Sequence, residues 1–206
     1  MRRLHIDITI KHMNGDRIYM AIKIYIDQGH NPRNPNAGAE GNGLREQDIT
    51  YSVGVLLARL FRRNGNFEVR LSRNLPDEII GTSNSESLRT RVNEANDWGA
   101  DYFISLHTNA STNPNASGSE AFVFRSGSSA YYWAEDILRG LARTTGLRNR
   151  GVMSRPGLYV LRKTRMPAVL VELGFITNPA DASLMDNEPE LFARGIYEGT
   201  LQFINE

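Results

Sequence analysis

The chain reads as an α/β protein, a single-domain layered fold in which helices cover both faces of a sheet. Three observations predict it. From Ile22 onward, short strand-like apolar runs alternate with amphipathic helical patterns, the arrangement that layers helices on a sheet. Two runs, YFISL (102–106) and AVLVEL (168–173), are apolar at nearly every position, as expected of strands buried on both faces. Finally, 206 residues of ordinary globular composition are enough for one full-sized core.

The elements follow in order. Leu4, Ile6, Ile8 and Ile10 alternate with polar neighbours, and Asn14-Gly15 signals a hairpin turn. Residues 1–21 are therefore expected to form an N-terminal extension built as a β-hairpin, its return strand running from Arg17 towards Ile26, with His5 and His12 at the surface. Ile22, Ile24 and Ile26 continue as a strand that Asp27-Gln28-Gly29-His30 breaks, and a loop rich in Asn, Pro and Gly runs to Gly43. A helix follows, with an apolar stripe of Ile49, Val53, Leu56 and Leu60 and a stop at Asn64-Gly65. Phe67 to Leu71 is the next strand. Ser83 and Glu86 have the spacing of a capping box, opening a helix that turns Leu88, Val92 and Ala95 inward and ends at Gly99.

Tyr102 to Leu106 is a buried strand with His107 directly after it, and Ala121 to Phe124 is another. Ser128 to Thr145 is helical, with Tyr131, Ala134, Leu138 and Leu141 on one side and Gly146 as its stop. Tyr159 to Leu161 and Ala168 to Leu173 read as short strands. Asn178-Pro179 starts a short helix, and Asn187 with Glu190 caps the last one, which packs Phe192, Ile196 and Phe203. The least regular stretches are 31–43, 73–84, 110–118 and 147–157.

Composition excludes several roles. A net charge of +1 argues against a dedicated nucleic-acid binder. With no cysteine there are no disulfides and no thiolate zinc sites. No apolar run approaches the ~20 residues of a membrane span, and Arg2-Arg3 is followed by no apolar segment of a recognisable signal peptide. Between Asp136 and Glu172 there are no acidic residues, while Arg139, Arg143, Arg148, Arg150, Arg155, Arg162, Lys163 and Arg165 are basic. That stretch is either a solvated face or a surface that meets an anionic substrate or polymer.

Candidate chemistry gathers at one edge. Ligands in open α/β sheets bind at the carboxyl ends of strands, where His30 and His107 both fall. Stepping the helix stripe back from Ile49 brings Glu46 to the core-facing first turn at the same edge. An inward carboxylate needs a partner to offset its desolvation. Glu46 can either complement the positive helix terminus or share a cation with the two histidines. Two His and one Glu suit zinc with a free fourth position, the pattern of catalytic rather than structural sites. Glu172, the lone charge in its strand, is either a bridging structural carboxylate or a base close to such a metal.

The motifs IYIDQGH (24–30), LREQD (44–48), NEAN (93–96), DYFISLHTNAS (101–111) and GLYVLRKTRMPAVLVELGFITNPAD (157–181) occur in this order. Together they resemble the catalytic domain of zinc-dependent N-acetylmuramoyl-L-alanine amidases, over roughly residues 22–204. The resemblance implies a mixed, twisted sheet of about six strands within a catalytic domain spanning 22–206. It implies one zinc ion on His30, Glu46 and His107, with Glu172 as the catalytic carboxylate. The implied reaction is hydrolysis of the amide between N-acetylmuramic acid and L-alanine of the peptidoglycan stem. The enzyme is expected to work as a monomer at the bacterial cell wall with an open groove, and a recruiting protein is left open. The rival readings are a zinc carboxypeptidase acting on stem peptides and a non-catalytic wall-binding module.

Overall fold

A computed structural model describes residues 10–13, 16–19 and 21–205. Strands β1 (Ile10–Met13) and β2 (Asp16–Tyr19) pair antiparallel with Met13 opposite Asp16; Asn14 and Gly15, the expected turn residues, lie outside the described residues. Leu4, His5, Ile6 and Ile8 lie outside the described residues, as does the side chain of His12. The chain continues through β3 (Ile22–Gln28), a small ladder of β4 (Glu40–Gly41) with β5 (Leu44–Arg45), α1 (Glu46–Asn64), β6 (Phe67–Leu71), α2 (Asn84–Trp98) and β7 (Tyr102–Asn109). It then forms β8 (Ser119–Val123), α3 (Ser129–Thr145), β9 (Asn149–Ser154), α4 (Tyr159–Lys163), β10 (Ala168–Phe175), α5 (Pro179–Asn187) and α6 (Pro189–Asn205). No helix among the described residues is long and apolar enough to cross a membrane.

The main sheet has six strands in the order β6-β3-β7-β10-β8-β9. Every neighbouring pair is parallel except β10 with β8, so the sheet is mixed. Helices α1, α3 and α6 cover one face over Ile24, Ile26, Ile104, Leu106, Val169 and Val171. The other face, with Tyr25, Phe103, Leu170 and Phe122, is covered by Val92 and Ala95 of α2 and Val160 and Leu161 of α4. A β-carbon on Gly140 of α3 would lie 2.1 Å from the Gly195 carbonyl of α6, so these two helices meet backbone to backbone.

Several local expectations change. Tyr159 to Leu161 is helical, not a strand. Its apolar pair Val160 and Leu161 docks under the sheet and the turn closes by Arg162 N–H donating to the Leu158 carbonyl. The outer strand comes instead from β9, inside a stretch expected to be irregular. As an edge strand it pairs only with β8 and is exposed or half-buried, with Val152 and Met153 its only apolar side chains, so it lacks the apolar alternation that betrays a strand. In α1 the fully buried stripe is Ile49, Val53, Leu57 and Phe61, whereas Leu56 and Leu60 are partly buried. Stepping by four from Val53, rather than by three, would have followed the face. Asn187 does not cap α6; its amide bonds Ser183 within α5. Ser83 does cap α2, accepting from Glu86 N–H, but the Glu86 carboxylate reaches back to Thr82 rather than to Ser83.

One buried ion pair ties α2 to the sheet. Arg91 and Asp27 are 1% and 2% exposed. Arg91 Nη1 lies 2.5 Å from Asp27 Oδ1 and also donates to the Gln28 carbonyl and Ser72 Oγ, while Nη2 donates to the His30 carbonyl and Asn31 Oδ1. Ser105 Oγ donates to the other Asp27 oxygen. Burial alone would push the Asp27 carboxyl up, but the charge and hydrogen bond of Arg91, helped by Ser105, hold it below its usual range. Removing one partner from such a pair leaves a bare buried charge, at about 3–5 kcal/mol.

Arg91→Met is therefore expected to lower unfolding stability at pH 7 by about that amount. Because the folded-state carboxyl is depressed, its contribution is complete above the unfolded value near 4 and fades as pH falls through the lower folded value. Urea unfolding at pH 7 and pH 3 should show the gap between parent and variant narrowing in acid. A gap that stays constant would deny the ion pair this role.

Candidate active site

Strand register lines up the functional side chains. On the face covered by α2 and α4, rows of residues run across the sheet at every second position along each strand. Tyr25 lies beside Phe103 and Phe103 beside Ala168; the next row is Asp27, Ser105, Leu170 and Phe122. One step further towards the carboxyl ends, His107 neighbours Glu172, and Glu172 neighbours Glu120. The apolar cover of this face belongs to the earlier rows. His107 lies inside β7 rather than after it, because the strand runs on to Asn109.

His30 joins this row from the end of β3. Its φ is 68°, a left-handed backbone disfavoured by roughly 1–2 kcal/mol for a residue with a β-carbon. Arg91 holds the turn by its Gln28 and His30 carbonyls. Gly29 donates to the Leu106 carbonyl at 3.0 Å. A β-carbon there would lie 2.4 Å from that same oxygen and 2.6 Å from His107 Cε1. The bare α-carbon of Gly29 is thus where the His107 ring rests. A β-carbon at Gly38 would likewise lie 2.8 Å from Glu46 Oε2 and 2.9 Å from His30 Cδ2.

Glu46 is the first residue of α1 and is 3% exposed. Its Oε1 accepts from Thr108 N–H at 2.9 Å and lies 2.9 Å from His107 Nδ1 and 3.2 Å from His30 Nε2. Its Oε2 accepts from Ala39 N–H at 2.9 Å. None of these partners is an amide of its own helix, so the imidazoles and the flanking strand and loop position the carboxylate, not the helix terminus. Burial pushes the Glu46 carboxyl up, yet the hydrogen bonds from His107 and His30 hold it far below its usual range. In return, Glu46 raises the His107 imidazole against the effect of burial.

Glu172 behaves differently. Its Oε2 is buried with no hydrogen-bond partner among the described residues. Burial pushes its carboxyl up to about 7; His107 opposes this, and Glu46 and Glu120 add to it. A carboxyl poised there can both take and return a proton near neutral pH.

The ligand atoms of His30, Glu46 and His107 all lie within 4.8 Å of one another. Two nitrogens and one oxygen suit a borderline cation such as zinc, and three protein ligands leave a position for water. The buried His30 Nδ1 without a partner and the convergence of two imidazoles on one carboxylate oxygen fit that use. The histidine side chains are 21% and 20% exposed, so the cluster opens to solvent. The structure thus brings His30, Glu46, His107 and Glu172 together at one sheet edge, as expected from their positions in the chain.

Sequence reasoning gave no role to Asp27, Arg91, Gly29, Gly38 or Glu120, and it placed Arg150 in a basic stretch without its pairing to Glu120. The signals were faint: a single charge in IYIDQG, and an arginine adjoining Val92 on the inner side of α2.

A family model described as N-acetylmuramoyl-L-alanine amidase matches residues 24–202. The N-acetylmuramoyl-L-alanine amidase LytC of Bacillus subtilis (strain 168) is 34% identical over 187 residues, which is 87% of this chain but 35% of LytC. The chain therefore spans about a third of that relative's length. The amidase CwlM of Bacillus licheniformis is 34% identical over 188 residues, 89% of this chain and 69% of CwlM. Among solved structures, the catalytic domain of the amidase CwlV from Bacillus (Paenibacillus) polymyxa var. colistinus superposes with a TM-score of 0.78 at 28% identity. The match covers 89% of this chain and 98% of that one.

The contact between Gly29 and His107 makes a prediction. Gly29→Ala should lower stability by about 1–3 kcal/mol, since the backbone neighbour at Leu106 cannot move aside cheaply. For a chain of this size that is a drop in Tm of roughly 2–4 °C per kcal/mol. Thermal unfolding in the presence of a chelator isolates the packing effect from any metal. An unchanged Tm would mean that the close approach is not real.

Proposed function

The chain belongs to the N-acetylmuramoyl-L-alanine amidase family, and on that premise we propose that it hydrolyses the amide between the lactyl group of N-acetylmuramic acid and L-alanine of the peptidoglycan stem, at the bacterial cell wall. His30, Glu46 and His107 would hold one zinc ion. When bound, zinc polarises a carbonyl oxygen and lowers the pKa of water from ~15.7 towards ~7. Glu172, one strand away from His107, accepts the proton of the attacking water and returns it to the alanine nitrogen as the carbon–nitrogen bond breaks. The products are a glycan with a free lactyl carboxylate and an intact peptide with a free amino terminus.

The observation that carries this reading is the asymmetry between neighbouring carboxylates. Glu46 is kept ionised while buried by two imidazoles and two amides, and a cation bound between it and the imidazoles would take the place of the imidazole protons. Glu172 carries a buried oxygen with no partner and a carboxyl near neutrality, as a proton carrier needs. A purely structural Glu172 would be expected to bridge amides or a guanidinium. A zinc peptidase acting on the stem would use the same groups and differ in its products.

Mass spectrometry of muropeptides after digestion distinguishes the two: intact stem peptides support the amidase, and free amino acids the peptidase. Glu172→Gln should lower turnover by roughly 10²–10⁴ while zinc content, measured by metal analysis, stays at the parent level. His30→Ala with His107→Ala should abolish zinc retention after mild dialysis. Loss of zinc in Glu172→Gln, or full retention in the double variant, would overturn the assignment of roles.

A further inference from the structure

The row that begins at His107 does not end at Glu172. Glu120 of β8 follows it, 6% exposed, and its carboxylate is held at both oxygens. Asn109 Nδ2 donates to Oε1 at 2.7 Å, and Arg150 Nε donates to Oε2 at 2.7 Å. Arg150 reaches this carboxylate because the β8–β9 register slips there. Ser119 faces Asn149 but Ala121 faces Val152, so Arg150 and Gly151 together oppose Glu120. Gly151 has φ 92°. Bulges of this kind redirect a side chain, and here Arg150 is turned inward along the row.

The guanidinium is a third exposed on the side-chain measure, at 33%. Its Cζ lies 4.9 Å from the Phe175 ring centre, and Nη1 donates to the Ser117 carbonyl at 3.3 Å. The remaining Nη donors, Nη2 among them, have no hydrogen-bond partner among the described residues. Elsewhere in the basic stretch, Arg139 pairs with Asp136 and Arg143 with Glu198. Arg155 stacks over Phe122 in the preceding row; among the described residues, Arg150 is the member of that stretch that bonds directly to a carboxylate of the catalytic row.

We propose that Arg150, aimed by Glu120 and Asn109, is a specificity-determining residue that receives a carboxylate of the stem peptide a few bonds beyond the scissile amide. This rests on the amidase reading above. Glu120 lies one strand from Glu172, and neighbouring strands are ~4.8 Å apart. A peptide advances ~3.3–3.6 Å per residue. On this proposal the peptide runs along the row from the His/Glu cluster, and those lengths bring its second residue within reach of Arg150. The group in question is a carboxylate on that residue, which a carboxamide would replace without its charge. A guanidinium fork suits the carboxylate and gains little from the amide. Glu120 acts as a positioning residue, since it holds Arg150 from below.

The test uses two synthetic muramyl peptides that differ only at this group, carboxylate or carboxamide, with the zinc-loaded enzyme. The parent should favour the carboxylate by roughly tenfold in kcat/KM, chiefly through KM, the order expected of a charge-assisted contact at a partly exposed site. Arg150→Gln should erase the preference by weakening the carboxylate substrate alone, and Arg150→Lys should restore part of it. Calorimetry with the product peptides, free of any turnover, should show the same order of affinity. Equal handling of both substrates by the parent overturns the proposal. So does an equal loss on both in Arg150→Gln, which would leave Arg150 as a tie between β8 and β9. Failure of the parent to cleave either substrate, with the product peptides still ranked by charge, would sink the amidase reading instead.

Discussion

The site depends on a charge it never shows to solvent. Asp27 and Arg91 face each other in the interior, and the guanidinium spends its other donors on the carbonyls and side chains of the turn that follows β3. A buried pair of this kind is a poor source of net stability, since desolvation offsets most of the attraction. Its value is geometric. The turn it grips carries a histidine in a left-handed backbone, a conformation that persists only when its surroundings over-determine it. α2, β3, β6 and the His30 loop all meet on the one guanidinium.

Around that anchor, three carboxylates near His107 are set to different tasks by their partners. Glu46 has imidazoles and amides and stays ionised. Glu120 has a guanidinium and a side-chain amide. Glu172 lies between His107 and Glu120 in register and has neither. Like charges nearby and the loss of water both favour its neutral form. Environments that push neighbouring carboxyls apart are what divide acid–base work from binding work. For Glu172 and Glu120 the sheet does this with one row of residues, since period-two alternation presents a side chain from each of adjacent strands at the same height, while Glu46 joins them from α1.

The edge strand β9 shows why some of this escapes a linear reading. Its residues Asn149–Ser154 are exposed or half-buried, so no apolar alternation marks them. Their pairing is decided by β8, some thirty residues earlier in the chain. The bulge opposite Glu120 exists only once that pairing is made. Tyr159–Lys163 errs in the opposite sense: its short apolar run fits a strand or a buried helical turn equally well, and the space beneath Leu170 and Phe122 selects the helix.

The amino-acid sequence by itself determined the class of fold, most element positions and the four residues of the candidate centre. Alternation, apolar runs and turn residues are local properties; they made His30, Glu46, His107 and Glu172 candidates, and the resemblance of the motifs to the amidase family joined the four into one centre. It also determined that thiolates play no part. Tertiary structure alone decided that Glu46 faces two imidazoles rather than its own helix amides. It alone decided that Arg91 is buried, that Gly29 makes room for His107, and that Glu120 and Arg150 extend the row. Each of these is a contact between segments far apart in the chain, and its energy comes from desolvation and close approach. Neither quantity exists until the sheet has brought the segments together.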